Sequence, residues 1–372
     1  MKTFSDLGIS PKLVKGLTEL GIINPTEIQE QAILVLLEKP TDFVGQAQTG
    51  TGKTAAYGLP MLELINASKN HVQALVLCPT RELAMQVSKQ LFKFTKYSDK
   101  IFSETVYGGA QIDKQIKALQ RPTHIIVATP GRLVDLMKKK VVDLTNVKTV
   151  VLDEADEMLS MGFKKDLDTI LSALPATKNR WLFSATLPEG IRQIINSHLS
   201  SNAIKIKVSG KNVVNKKIEH KYILVEDADK LTTLLQYLKF KGKERGIVFC
   251  KTKNTTKTLA KQLIAKNISA DAIHGDLLQK ERDKVMRAFK NESLRILVAT
   301  DLTARGIDVE DLAFVVHYEL PSQDEFYTHR SGRTARAGKE GMSLAIVNSK
   351  ELKQLRFFEK TLGISFSQIR QK

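Results

Sequence analysis

Ala47-Gln48-Thr49-Gly50-Thr51-Gly52-Lys53-Thr54 combines residue types suited to holding phosphate groups. Glycines let backbone N–H groups approach an anion, and a helix starting near Ala55 would aim its N-terminus at it. Lys53 can pair with β- and γ-phosphates, and the Thr54 hydroxyl can ligate Mg2+. Ala47 replaces the first glycine of the general phosphate-loop pattern. Farther on, the apolar run Val147 to Leu152 leads into Asp153-Glu154-Ala155-Asp156. At the end of a buried strand, Asp153 could hold Mg2+, directly or through water, and Glu154 could polarise the attacking water. Either segment alone could be a bland turn or a solvated acidic cluster. Together they point to ATP hydrolysis with Mg2+.

These residues need strand ends and helix starts, and the chain supplies both. Apolar runs rich in β-branched residues (Ala74 to Cys78, Ile125 to Ala128, Val147 to Leu152, Ile247 to Cys250, Ile296 to Ala299, Ala313 to His317) alternate with amphipathic stretches. That pattern predicts an α/β fold with parallel sheets and crossover helices. Val76-Leu77-Cys78-Pro79-Thr80-Arg81 is echoed by Val248-Phe249-Cys250-Lys251-Thr252-Lys253, and Ile125 to Thr129 by Ile296 to Thr300. Thr129 follows Cys78 by 51 positions and Thr300 follows Cys250 by 50, a register that predicts duplicated lobes. Gly210, two Asn and two Lys between Ser209 and Lys216 read as a linker. The expected division is a first lobe at 1–208, a linker at 209–216 and a second lobe at 217–372.

A chain of 372 residues with 42% hydrophobic residues is long enough for two cores. Its net charge of +17 suits a polyanionic partner, although a merely soluble basic surface would read the same way. Cys78 and Cys250 form no Cys-x-x-Cys pair, and the seven histidines show no ligand spacing, which argues against a disulfide framework and a zinc site. No signal peptide or membrane-length apolar run is apparent, so the expectation is a cytoplasmic protein acting as a monomer away from membranes.

In order and type, these motifs resemble the DEAD-box family of RNA helicases, and the likeness spans nearly the whole chain. The resemblance implies two tandem RecA-like lobes, each a parallel β-sheet flanked by helices. Gly21 to Gln29 is similar to the family's Q motif, in which the Gln29 amide would read adenine while Phe4 stacks on the base. Pro79-Thr80-Arg81-Glu82-Leu83-Ala84, Gly108-Gly109 and Thr129-Pro130-Gly131-Arg132 look like RNA-backbone contacts; such groups suit phosphates and read few base edges. Ser184-Ala185-Thr186, with Asp156 and His329, resembles the elements that couple hydrolysis to strand separation. The second lobe adds His274-Gly275-Asp276, Gln279, Arg282 and Thr300 as RNA contacts and Asp308 for the ATP ribose. Arg333 and Arg336, in His329 to Arg336, are implied arginine fingers on the γ-phosphate, while Ala335 stands where many members carry glycine.

The implied activity is ATP-dependent RNA unwinding or remodelling, with ATP and RNA closing the lobes and hydrolysis reopening them. One alternative is a DNA-directed helicase, opposed by Gln29 and Asp156. Another is an RNA clamp that uses ATP only to lock on, opposed by the presence of Lys53, Glu154, Arg333 and Arg336.

Overall fold

The computed structural model describes residues 2–48, 50–174, 179–208, 217–304, 312–335 and 340–370. The chain divides into two compact units, Met1–Val208 and Ser209–Lys372. The expected linker, 209–216, lies outside the described residues, as do Thr49, Asp308 and Arg336.

The first unit carries strands β1 (Phe43–Gln46), β2 (Ala74–Leu77), β3 (Ser103–Val106), β4 (Ile125–Ala128), β5 (Thr149–Asp153), β6 (Asn179–Ser184) and β7 (Ile204–Lys207). They form one parallel sheet in the order β3-β4-β2-β5-β6-β1-β7. The second unit carries β8 (Ile218–Leu224), β9 (Gly246–Cys250), β10 (Ala270–Ile273), β11 (Ile296–Thr300), β12 (Phe314–His317), β13 (Gly341–Val347) and β14 (Ser367–Gln368). Its sheet is also parallel, in the order β10-β11-β9-β12-β13-β8-β14. Strand for strand the two orders coincide. The internal echo therefore falls on equivalent strands, β2 with β9 and β4 with β11.

Central strands are buried along their whole length, as Ala74–Leu77, Ile125–Ala128 and Phe314–His317 show, because helices cover both faces of a parallel sheet. The edge strand β7 alternates Ile and Lys and buries only one face. Separate apolar clusters fill the two faces of the first sheet, one around Phe43, Val76 and Phe183 and the other around Val44, Leu77 and Leu152. The apolar run at Val147 overstates the start of β5: a turn from Leu144 to Val147 buries Val147 ahead of the strand, which then takes in Asp153 as its last residue.

Since every strand in a sheet points the same way, all C-terminal ends share one edge. The order gives that edge two neighbourhoods. The ends of β5, β6 and β1 bring together Asp153, Ser184 and the phosphate loop, while those of β3, β4 and β2 bring together Gly108, Thr129 and Thr80.

Candidate active site

The phosphate loop leaves β1 beside β6, where the Ala47 N–H donates to the Ser184 carbonyl at 3.0 Å. It then enters the helix Lys53–Glu63 through Gly52, whose φ of +91° is a left-handed conformation that glycine adopts without strain. A Cβ at Gly52 would lie 2.2 Å from Gln29 Nε2, so a side chain there would displace the Gln29 amide. Gln29 is 3% exposed. Its Nε2 donates to the Gly52 carbonyl at 3.0 Å, and its Oε1 accepts the Thr26 N–H at 2.9 Å. The Thr26 hydroxyl donates to the Thr51 carbonyl at 2.8 Å. The Q-motif residues thus brace the loop from behind, leaving Gln29 one N–H and one lone pair for other partners. Phe4 packs in the core with Leu7, Ile9 and Leu13 and is 2% exposed, so here it anchors its segment and presents no open ring face for stacking.

Two ionic groups inside this framework are buried and lack complete pairing. Lys53 Nζ has no hydrogen-bond partner, nor has Asp153 Oδ1, although the other carboxylate oxygen accepts the Tyr57 hydroxyl at 2.8 Å. Burial pushes the Asp153 carboxyl up to about 6, against the pull of the Lys53 ammonium, with Glu154 adding to the rise. Buried polar groups ordinarily find partners, so an unpaired ammonium and carboxylate oxygen mark places for ligand atoms. This donor set fits a triphosphate with a hard divalent cation, for which Asp153 and Thr54 supply oxygens. Glu154 takes φ +52° and ψ +52°, an uncommon conformation for a non-glycine residue, at the N-terminus of the helix Ala155–Ser160.

The acidic tetrapeptide and Ser184-Ala185-Thr186 are tied together. Asp156 Oδ2 accepts the Thr186 N–H and hydroxyl, while the Asp156 N–H donates to Ser184 Oγ at 3.2 Å. Ser184 Oγ in turn donates to the Thr186 carbonyl at 2.7 Å.

On the other half of the edge, Thr80 caps the helix Arg81–Phe94 by accepting the Leu83 N–H, and the Arg81 guanidinium lies 4.7 Å from the Tyr107 ring centre. Thr129 Oγ1 accepts the Gly108 N–H at 3.3 Å, and Gly109 takes φ +80°. Gly131 is the second residue of the neighbouring helix Pro130–Lys138. Arg132 donates to Gln115 Oε1 and to the Ala110 carbonyl, so its side chain supports the Gly108-Gly109 loop. The expected RNA residues of this unit are therefore brought together, with several side chains spent on mutual support.

In the second unit Gly275 is exposed after β10, and Thr300 ends β11, where its hydroxyl meets that of Thr303 at 2.9 Å. Arg282 reaches the Thr303 carbonyl at 3.3 Å, and Gln279 donates to Asp283. Arg330 is 1% exposed and pairs through two nitrogens with Asp301, which makes it a brace between helices. Arg333 is buried, its Nε reaching the His329 carbonyl at 3.3 Å.

Thr252 and Tyr57 were not nominated from the sequence. Thr252 caps its helix as Thr80 does, by accepting the Thr255 N–H, and the echo of the two segments could have found it. No sequence signal distinguishes Tyr57 from an ordinary core aromatic.

Comparison with known proteins gives the same assignment. Residues 26–194 match the DEAD/DEAH box helicase family and residues 229–338 the Helicase conserved C-terminal domain. The chain is 43% identical to the ATP-dependent RNA helicase CshA of Listeria monocytogenes, over 97% of this chain and 69% of that protein. It is 42% identical to the DEAD-box ATP-dependent RNA helicase CshA of Geobacillus kaustophilus, over 97% and 77%. S. cerevisiae Dbp5, solved bound to RNA and ADP BeF3, superimposes with a TM-score of 0.90 at 32% identity, covering 99% of this chain and 96% of that one. A phosphate loop beside an acidic strand end, two sheets of one order and these relatives together establish that the chain belongs to the DEAD-box ATP-dependent RNA helicases.

Proposed function

We propose that this helicase binds ATP with Mg2+ on the first unit, engages RNA mainly through its backbone, and uses hydrolysis to separate short duplexes or remodel RNA–protein complexes. The observation that carries the reading is the pair of buried, unpartnered atoms Lys53 Nζ and Asp153 Oδ1 beside the glycine loop. Lys53 holds the β- and γ-phosphates, Thr54 and Asp153 would hold Mg2+, and Glu154 accepts the proton of the attacking water. The bound cation would supply neutralisation of the triphosphate charge. Gln29 turns its remaining donor and acceptor to adenine. Ala47 to Thr54 wrap the phosphates, and Asp308 meets the ribose.

The contacts to RNA are Thr80, Arg81, Gly108, Gly109, Thr129, Gly131 and Arg132 in the first unit and Gly275, Gln279, Arg282 and Thr300 in the second. Arg333 and Arg336 stabilise charge on the γ-phosphate, and Ser184, Thr186, Asp156 and His329 couple hydrolysis to RNA. One chain carries the full motif set, which favours a monomer, and two free buried cysteines suit a reducing cytoplasm. The test is ATP hydrolysis by the full chain with RNA, with DNA and with neither. RNA-specific stimulation is expected; binding of RNA and ATP without turnover would favour the clamp.

A further inference from the structure

We infer that Tyr57 is a positioning residue of the hydrolytic site: its phenol holds the Asp153 carboxylate by one oxygen so that the other stays available to the nucleotide-bound cation. The inference rests on the reading of Asp153 as a cation-holding residue and adds a role for a side chain outside the motifs.

Tyr57 lies four residues after Lys53 and three after Thr54 on the helix Lys53–Glu63, so the three share one face. It is fully buried. Its ring packs on Phe183 of β6, with centres 5.3 Å apart, and Phe183 packs on Phe43 of β1 at 5.4 Å. The two strands that flank the phosphate loop therefore fix the ring, and with it the direction of the hydroxyl. That hydroxyl donates to Asp153 Oδ2 at 2.8 Å. The phenol thus reaches from the helix that carries Lys53 and Thr54 to the end of β5.

A carboxylate at a strand end can turn about its last bond. Here one oxygen is tethered and the other is buried without a partner, while the Lys53 ammonium is also unpartnered. Released from the phenol, the carboxylate could turn so that its free oxygen no longer faces the cation. The phenol holds that direction. A phenol that merely satisfied a buried carboxylate would contribute to folding and leave cation affinity unchanged.

The test uses the full chain and equilibrium binding of a fluorescent ADP, without RNA or turnover, titrated with MgCl2. Tyr57→Phe keeps the ring and removes the donor. Hydrogen bonds to charged groups are strong enough that its loss should raise the Mg2+ concentration for half-maximal tightening about tenfold. ADP affinity without Mg2+ should stay within about twofold, since it rests on Lys53 and the loop amides. Asp153→Asn should remove the Mg2+ effect, and Tyr57→Phe added to Asp153→Asn should change nothing more.

If the parent chain shows no Mg2+ tightening, or Asp153→Asn retains it, the reading of Asp153 fails and the role of Tyr57 with it. If those two behave as expected but Tyr57→Phe responds to Mg2+ as the parent does, only the role of Tyr57 is overturned. A lowered thermal midpoint with unchanged Mg2+ dependence would likewise assign the phenol to stability alone.

Discussion

Asp156 Oδ2 accepts both the backbone N–H and the hydroxyl of Thr186, each at 2.9 Å. The last residue of the acidic tetrapeptide is thereby fastened to the loop after β6, so a shift at one is felt at the other. Thr186→Val keeps the backbone bond and the shape but removes the hydroxyl donor, a bond to a charged group worth ~1.5–3 kcal/mol. We expect duplex unwinding to fall about tenfold while RNA-stimulated hydrolysis changes far less; assays of both on one preparation check it. Equal losses in the two would remove the coupling role.

Glu154→Gln should retain ATP and RNA binding and lose nearly all turnover, because the amide keeps size and polarity but cannot accept a proton. The left-handed backbone at this position is no less accessible to Gln, so thermal stability should change little. Multiple-turnover hydrolysis near the parent rate would exclude Glu154 as the base.

Gln29→Ala removes both the acceptor of the Thr26 N–H and the donor to the Gly52 carbonyl. Loss of a helix-capping bond costs about 1 kcal/mol, and the phosphate loop loses its brace. Weaker ATP binding and a lower thermal midpoint are expected together, along with reduced preference for ATP over GTP in hydrolysis. An unchanged preference would separate loop support from base reading.

Ala335 takes φ +57°, the left-handed region in which glycine is unstrained. The strain of an L-residue there is ~1–2 kcal/mol, and the extra freedom of glycine in the unfolded chain offsets ~0.4–1 kcal/mol of it. Ala335→Gly also removes a buried methyl worth ~0.8 kcal/mol, so the two effects nearly cancel, and stability read from the urea midpoint of the transition involving the second unit should change by less than about 0.5 kcal/mol.

His220 is buried against Tyr327, whose hydroxyl lies 2.6 Å from its Nδ1, and burial pushes its pKa down to about 4 from 6.5. His317 nearby is also held well below the ordinary histidine value, by burial and then by the Arg330 guanidinium. Between about pH 6.5 and 4 the unfolded chain binds protons that the folded chain refuses, so stability is intact above pH 6.5 and falls as pH drops through that window. Urea unfolding across this range should show the decline, and His220→Gln should make it shallower.

Strand and motif order were readable in the sequence because parallel strands buried on both faces must be continuously apolar, and phosphate chemistry needs Gly, Lys, Thr and acidic residues at set places. The echo of Cys78 with Cys250 lands on equivalent strands because equal spacing along the chain reflects equal crossovers in space. Side-chain commitments were much less readable. Arg132 reads as an RNA contact, yet two of its nitrogens already bond Gln115 and the Ala110 carbonyl; Phe4 is buried, and Ala335 takes a left-handed backbone angle.

Residue type and spacing thus determined which chemistry the chain could perform and the strands and loops that carry it, since those depend on local periodicity and composition. Only tertiary structure decided that Gln29 would close on Gly52, Asp156 on Thr186 and Tyr57 on Asp153, pairs separated by 23, 30 and 96 residues. Such bonds depend on strand order and on which face each helix turns inward, which no local pattern encodes.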